Sequence, residues 1–153
     1  YYNEASQILI AADKVGYKPT LFGCDGMDGI LTIEAFDTSL AEGLMLLCPF
    51  SATATDETTQ KFVSAYEAAY NETPIQFAAD AYDCVYAIYE CVQNGSISGD
   101  MSASDMCDAL KAQFTTMTFN GTTGEGQTWS ADGTVNKPPR VYVVTDGAYQ
   151  TAE

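Results

Sequence analysis

The sequence predicts an α/β fold. Three observations carry that reading. Helical apolar spacing and short apolar runs alternate along the first part of the chain. Three amphipathic helical segments with polar caps follow, and a Gly-, Thr- and Asn-rich segment with Asp-Gly turns closes the chain. Alternating helices and strands with a hairpin-like tail belong to the α/β class.

The elements follow in order. In "YYNEASQILIAADKVGY", Ile8, Ala11, Ala12 and Val15 are spaced for one buried helical face, and Gly16 is a natural stop. Thr20 to Gly23 reads as a short strand. The loop "GCDGMDG" comes next, with a short helix expected near Asp28 to Glu34. The apolar run "EGLMLLCPF", Glu42 to Phe50, has the length of a buried parallel strand. Asp56 to Tyr70 is an amphipathic helix that Thr55 or Asp56 can cap, with Phe62, Val63, Tyr66, Ala69 and Tyr70 on its apolar face. "NETP" breaks it. Gln76 to Gln93 is a second long helix, crowded with Ala79, Tyr82, Asp83, Tyr86, Ile88 and Tyr89. Ser102 to Gln113 is a third, capped by Ser102 or Ser104. In the tail, "SADGT" reads as a tight turn between short strands, and "RVYVVTDGAYQ" as two strands around an Asp-Gly turn.

Composition narrows the function. The 153 residues fit one ordinary domain, and 46% hydrophobic residues supply a core. The net charge of −15 opposes nucleic-acid backbones and anionic membrane faces, both of which need a basic surface. The chain has no histidine, which excludes Ser-His-Asp triads, Cys-His dyads and His-ligated metal sites within it. None of the five cysteines forms a CxxC pair, so thioredoxin chemistry and zinc ribbons are not expected. Cys84 and Cys91 sit about 10 Å apart along one helix, too far to bridge. Cys91 and Cys107 could bridge neighbouring helices; the alternative is five free thiols buried as small hydrophobes. No apolar run has membrane-spanning length and no signal peptide is visible. The opening "YYNEASQ" reads as a start partway into a longer protein.

The acids of "GCDGMDGILTIEAF" invite a calcium reading, but the ligand phase fails. With Asp28 at loop position 5, position 1 is Cys24, position 3 is Gly26 and position 12 is Ala35. With Asp25 at position 1, the required glycine is Ile30. An extended "TLF" also stands where a helix should precede. No metal or other cofactor is expected. Asp25 instead lies just past the C-terminal end of a strand, where open α/β sheets place ligands, and a carboxylate there suits an ammonium group. The plain alternative is that Asp25 or Asp28 caps the next helix.

Four stretches match something in order: "YYNEASQILIAADKVGYKPTLFGCDGMDG", "AEGLMLLCPF", "FAADAYDCVYAI" and "FNGTTGEGQTWSADGTVNKPPRVYVVTDGAYQ". Together they resemble the C-terminal half of branched-chain amino-acid binding proteins, the type I periplasmic binding proteins that serve ABC transporters. The resemblance covers essentially the whole chain. Its most specific parts are the glycine-acid-glycine loop and the tail. It implies two α/β lobes joined by crossing strands, with residues 1–50 in the second lobe, 51–133 in the first, and 134–153 returning to the second. It implies an extracytoplasmic protein, without its signal segment, that captures an amino acid or related small amine or amide for a transporter permease.

The same resemblance implies a site. Asp25 takes the ligand ammonium, Tyr1 contacts the ligand, and Phe77 lines the side-chain pocket, although plain core burial is an equal reading of Phe77. Gly23 and Gly26 let the backbone turn and approach the ligand. Asp25 is one methylene shorter than the Glu of leucine-type binders, which leaves the ligand side chain open. The groups for the ligand carboxylate would come from an N-terminal half of the protein, so a partner is implied: that half, or a second copy of the chain. Two other readings compete: a sensor domain of the same fold, and an enzyme. Without histidine, an enzyme would need paired carboxylates or an activated Cys, and neither is evident.

Overall fold

The computed structural model describes residues 1–138 and 140–152. Pro139, in the expected return segment, and Glu153 lie outside the described residues. The chain divides into two compact units, Tyr1–Ser51 with Pro139–Glu153, and Ala52–Pro138.

In the first unit, helix α1 (Tyr2–Lys14) precedes strand β1 (Phe22–Gly23), three 3₁₀ turns and strand β2 (Met45–Leu47). Its remaining strands come from the end of the chain, β5 (Val141–Thr145) and β6 (Ala148–Thr151). They form one sheet in the order β1-β2-β5-β6. β2 pairs parallel to β1, with Phe22 opposite Met45, and antiparallel to β5, with Leu46 opposite Tyr142. The Asp146-Gly147 turn between β5 and β6 has φ of 52° and 73°, the left-handed pair that a two-residue hairpin needs. The core gathers Ala5, Leu9, Ile30, Ala41, Leu44 and Val144.

Several expectations shift here. α1 buries Ala5, Leu9 and Ala12, whereas Ile8 is 57% exposed and Val15 is 79% exposed. Apolar residues lie on more than one side of this helix, and packing selects the 5-9-12 stripe. The expected helix at 28–34 is replaced by 3₁₀ turns at Asp25–Met27 and Ile30–Thr32. The cause is Asp28 in an extended conformation followed by Gly29 at φ 100°, which no continuous helix tolerates. The expected strand 42–50 narrows to three residues because Gly43, at φ 78°, turns the chain just before it.

The second unit holds α2 (Glu57–Tyr70), α3 (Gln76–Asn94), α4 (Ala103–Phe114) and the hairpin of β3 (Phe119–Gly121) with β4 (Gly124–Gln127). Asp56 caps α2 by accepting from the Thr59 N–H at 2.9 Å, and Asn71 closes it in the left-handed region. Ser102 caps α4 through the Asp105 N–H. The "SADGT" turn lies between Trp129 and Val135, which form an isolated antiparallel bridge.

The α2 and α3 faces read as apolar are only partly buried. Phe62, Val63, Ala79, Asp83 and Ala87 are buried, but Tyr70, Tyr82, Tyr86, Ile88 and Tyr89 stay exposed. All five thiols are free, so Cys91 and Cys107 are not bridged. Cys91 is buried with its sulfur 3.2 Å from that of Met117, and burial pushes its thiol pKa up. Cys24, Cys84 and Cys107 are exposed, against the reading of all five as buried.

Asp83 joins α3 to the hairpin. One carboxylate oxygen accepts from the Thr122 N–H at 2.8 Å and its hydroxyl at 2.9 Å. The other accepts from the Thr123 N–H at 2.8 Å and its hydroxyl at 2.6 Å. All three residues are buried. A Cβ on Gly121 would overlap this carboxylate.

Asp83→Ala leaves two buried N–H groups without an acceptor and should destabilise the second unit by about 4 kcal/mol. Asp83→Asn should cost less, because one oxygen still accepts; urea unfolding of both variants measures the difference. Asp132 accepts from the Ser130 hydroxyl and the Thr134 N–H, and these bonds lower its pKa from 3.8 to about 2. A lowered carboxylate pKa makes its contribution full above the unfolded value and lost as pH falls through the folded one. An NMR titration should therefore find the Asp132 midpoint near 2, and Ser130→Ala should raise it.

Candidate functional site

The loop after β1 begins with Cys24 in an extended conformation, then makes one 3₁₀ turn at Asp25–Met27. The Met27 N–H donates to the Cys24 carbonyl at 3.0 Å and the Asp28 N–H to the Asp25 carbonyl at 2.9 Å. The turn lifts the Asp25 side chain to the surface, where one carboxylate oxygen accepts from the Gly26 N–H at 3.0 Å. The result is an exposed acid at the C-terminal end of a strand, held by its own loop.

Tyr1 packs over this loop. A Cβ placed on Gly26 would meet the Tyr1 ring at 3.1 Å. Tyr1, Asp25 and Gly26 are thus brought together, with the Tyr1 side chain still largely exposed. Gly23 is needed for a different neighbour, since a Cβ there would overlap the Met27 sulfur. Neither glycine has positive φ, so both serve through their missing side chains. Gly29 is the glycine of this loop that needs the left-handed region.

Asp28 behaves unlike Asp25. It is 5% exposed, and the N-cap of the next turn is Gly29. Asp28 lies beside Tyr149 of β6. Burial first, then the Asp28 charge, push the Tyr149 hydroxyl pKa above its ordinary value. The sequence offers Asp28 as a cap of the next helix and gives no direct sign of Tyr149 as its neighbour. The alternation of the "RVYVVTDGAYQ" hairpin was the available signal, but the pairing spans the whole chain.

Phe77, the second residue of α3, belongs to the other unit and is 38% exposed, which is not core burial there. Among the described residues, no group of three His, Cys, Asp or Glu side chains could hold a metal ion. No helix among them is long and apolar enough to cross a membrane.

The family model described as periplasmic binding protein matches residues 2–148. The chain belongs to the periplasmic binding protein family. Its members are binding proteins and not enzymes. No curated protein matches the chain. Solved structures that do match include LivJ, a branched-chain amino acid transporter substrate-binding protein of Streptococcus pneumoniae in complex with isoleucine. It is 28% identical at a TM-score of 0.79, over 99% of this chain and 42% of that one. The leucine-binding protein LivK of Thermotoga maritima is 22% identical at a TM-score of 0.77, over 100% of this chain and 42% of that one. A solute-binding protein of R. palustris in complex with benzoate is 20% identical at 0.72, over 92% and 36%. The fold is that of the type I periplasmic binding proteins, and the chain spans about two fifths of the length of these relatives.

The contact geometry of this periplasmic-binding-protein loop makes a prediction. Gly23→Ala forces Met27 aside and should destabilise the chain by about 1–2 kcal/mol. Gly26→Ala should cost less, because the exposed Tyr1 ring can shift. Thermal unfolding gives the order, and nuclear Overhauser contacts from the Tyr1 ring report its displacement.

Proposed function

We propose that the chain is the C-terminal half of an extracytoplasmic solute-binding protein that captures an amino acid, or a related small amine or amide, for an ABC transporter. The observation that carries this reading is the exposed Asp25 carboxylate at the end of β1, set beside Tyr1 and Gly26 in a family of binding proteins. Asp25 pairs with the ligand ammonium. Tyr1 supplies an aromatic wall, Gly26 allows the close approach, and Phe77 lines the pocket for the ligand side chain. Residues 1–50 and 134–153 form part of one lobe and residues 51–133 part of the other.

Electrostatics limits what this half does alone. An exposed carboxylate and an ammonium in water gain at most about 1 kcal/mol. The pair strengthens only where closure excludes water and the remaining oxygens keep hydrogen bonds. The ligand carboxylate also needs donors, which this reading assigns to an N-terminal half of the same protein or to a second copy of the chain. The exposed apolar row on α3 supports a partner of that kind, since Tyr82, Val85, Tyr86 and Tyr89 remain exposed. The relatives' greater length supports it too. The transporter permease is the second partner.

The test is calorimetry on the protein carrying both halves. Asp25→Asn should weaken binding of the preferred amino acid about 100-fold, the loss of a charged hydrogen-bonded pair. Unchanged affinity would sink the assignment.

A further inference from the structure

The second unit contains a cavity of about 380 Å³ between α3, α4 and the hairpin. It is separate from the Asp25 loop, which lies in the other unit, and it does not depend on the reading above. Most of its wall is apolar, with Ile88, Leu110, Phe114, Trp129 and Val135, and the carboxylates of Asp80 and Asp83 lie at its α3 edge. Phe114 and Trp129 stand edge to face, with centroids 5.0 Å apart and planes at 71°. That arrangement leaves a ring face and a ring edge to meet a further flat ring. The volume falls in the range of small-molecule pockets and accommodates one or two rings.

The polar groups of the wall narrow the chemistry. Lys137 is already paired with Asp80 at 3.2 Å, and both side chains are half-buried or nearly so. A paired lysine on a chain of net charge −15 offers little to an anion. The Thr123 hydroxyl donates to Asp83, and the Gln127 amide nitrogen donates to the Gly124 carbonyl. The Thr123 oxygen and the Gln127 carbonyl keep acceptor capacity. The lining therefore favours a ligand that brings a donor and no negative charge.

We propose that this cavity is an accessory binding site for a small uncharged aromatic molecule with one hydrogen-bond donor, of the phenol or indole class. Two features of the chain make the proposal readable. Trp129 is the only tryptophan, so its indole signal reports the cavity wall. Cys84 lines the cavity and is exposed, while Cys107, also exposed, does not line it.

The experiment titrates 4-methylphenol, with toluene as the donor-free control, into the full chain. The Trp129 indole N–H resonance should shift saturably with 4-methylphenol, and toluene should bind about fivefold more weakly for want of one hydrogen bond. Saturating 4-methylphenol should slow alkylation of Cys84 by iodoacetamide and leave Cys107 unchanged. Cys84→Phe, a change at an exposed position, should abolish the shift with the unfolding temperature retained. Asp25→Asn should leave everything here unaltered. An unsaturable shift, equal protection of both thiols, or a shift that survives in Cys84→Phe would overturn the proposal. So would a Cys84 that is unreactive toward iodoacetamide without any added ligand, because the cavity would then be closed to small molecules.

Discussion

The second unit depends on one buried carboxylate. Among the described residues, its three helices and short hairpin have no continuous sheet to hold them, since β3 and β4 form a two-stranded sheet of their own. Asp83 replaces that framework. Burying a charge is costly unless its lone pairs are met, and here four donors from two adjacent threonines meet them. The two backbone N–H groups belong to the turn between β3 and β4, so the bonds fix the hairpin's tightest point against α3. Gly121 must lack a side chain for the carboxylate to come so close. The Lys137–Asp80 pair then ties the segment after the hairpin to the same face of α3, one turn earlier. With α3 fixed at these two points, the Trp129 ring is carried onto Phe114 and the cavity wall is formed.

The first unit uses a different device. Its loop is shaped by what glycines permit: Met27 over Gly23, Tyr1 over Gly26, and the left-handed turn at Gly29. Ile30, fully buried, anchors the end of the loop in the core beside Leu9 and Val144. The loop thus has an inner acid and an outer acid. Asp28 faces the C-terminal hairpin near Tyr149, and Asp25 faces solvent. Three residues apart in sequence, they meet opposite environments because Asp25 opens a 3₁₀ turn and Asp28 leaves it in an extended conformation.

How much of this was legible depends on how local each signal is. The caps Asp56 and Ser102 and the Asp146-Gly147 turn were readable because each acts within three residues of itself. The loop position of Asp25 was readable for the same reason. The inward stripe of α1 was not, because Leu9 and Ile8 are equally apolar and only packing chooses between them. The Asp83 clamp was invisible because its partners lie 39 and 40 residues away. Asp83 read as one more residue on a crowded face. Tyr149 lies farther still from Asp28, across the whole second unit.

The crowded faces of α2 and α3 show where propensity and burial part company. Tyr82 and Tyr86 stack with centroids 4.5 Å apart, Phe62 meets Tyr82 at 4.8 Å, and Tyr66 meets Tyr70 at 4.7 Å. The rings satisfy one another along the seam of the two helices. Their outer edges remain exposed, as do Val85 and Tyr89. A helix pair with an apolar outer face is, in α/β architecture, one layer of two. Self-association would be the simplest cover, but a chain of net charge −15 repels its own copies at long range, and only large complementary area overcomes that. A covering layer of lower charge would meet that requirement without the repulsion.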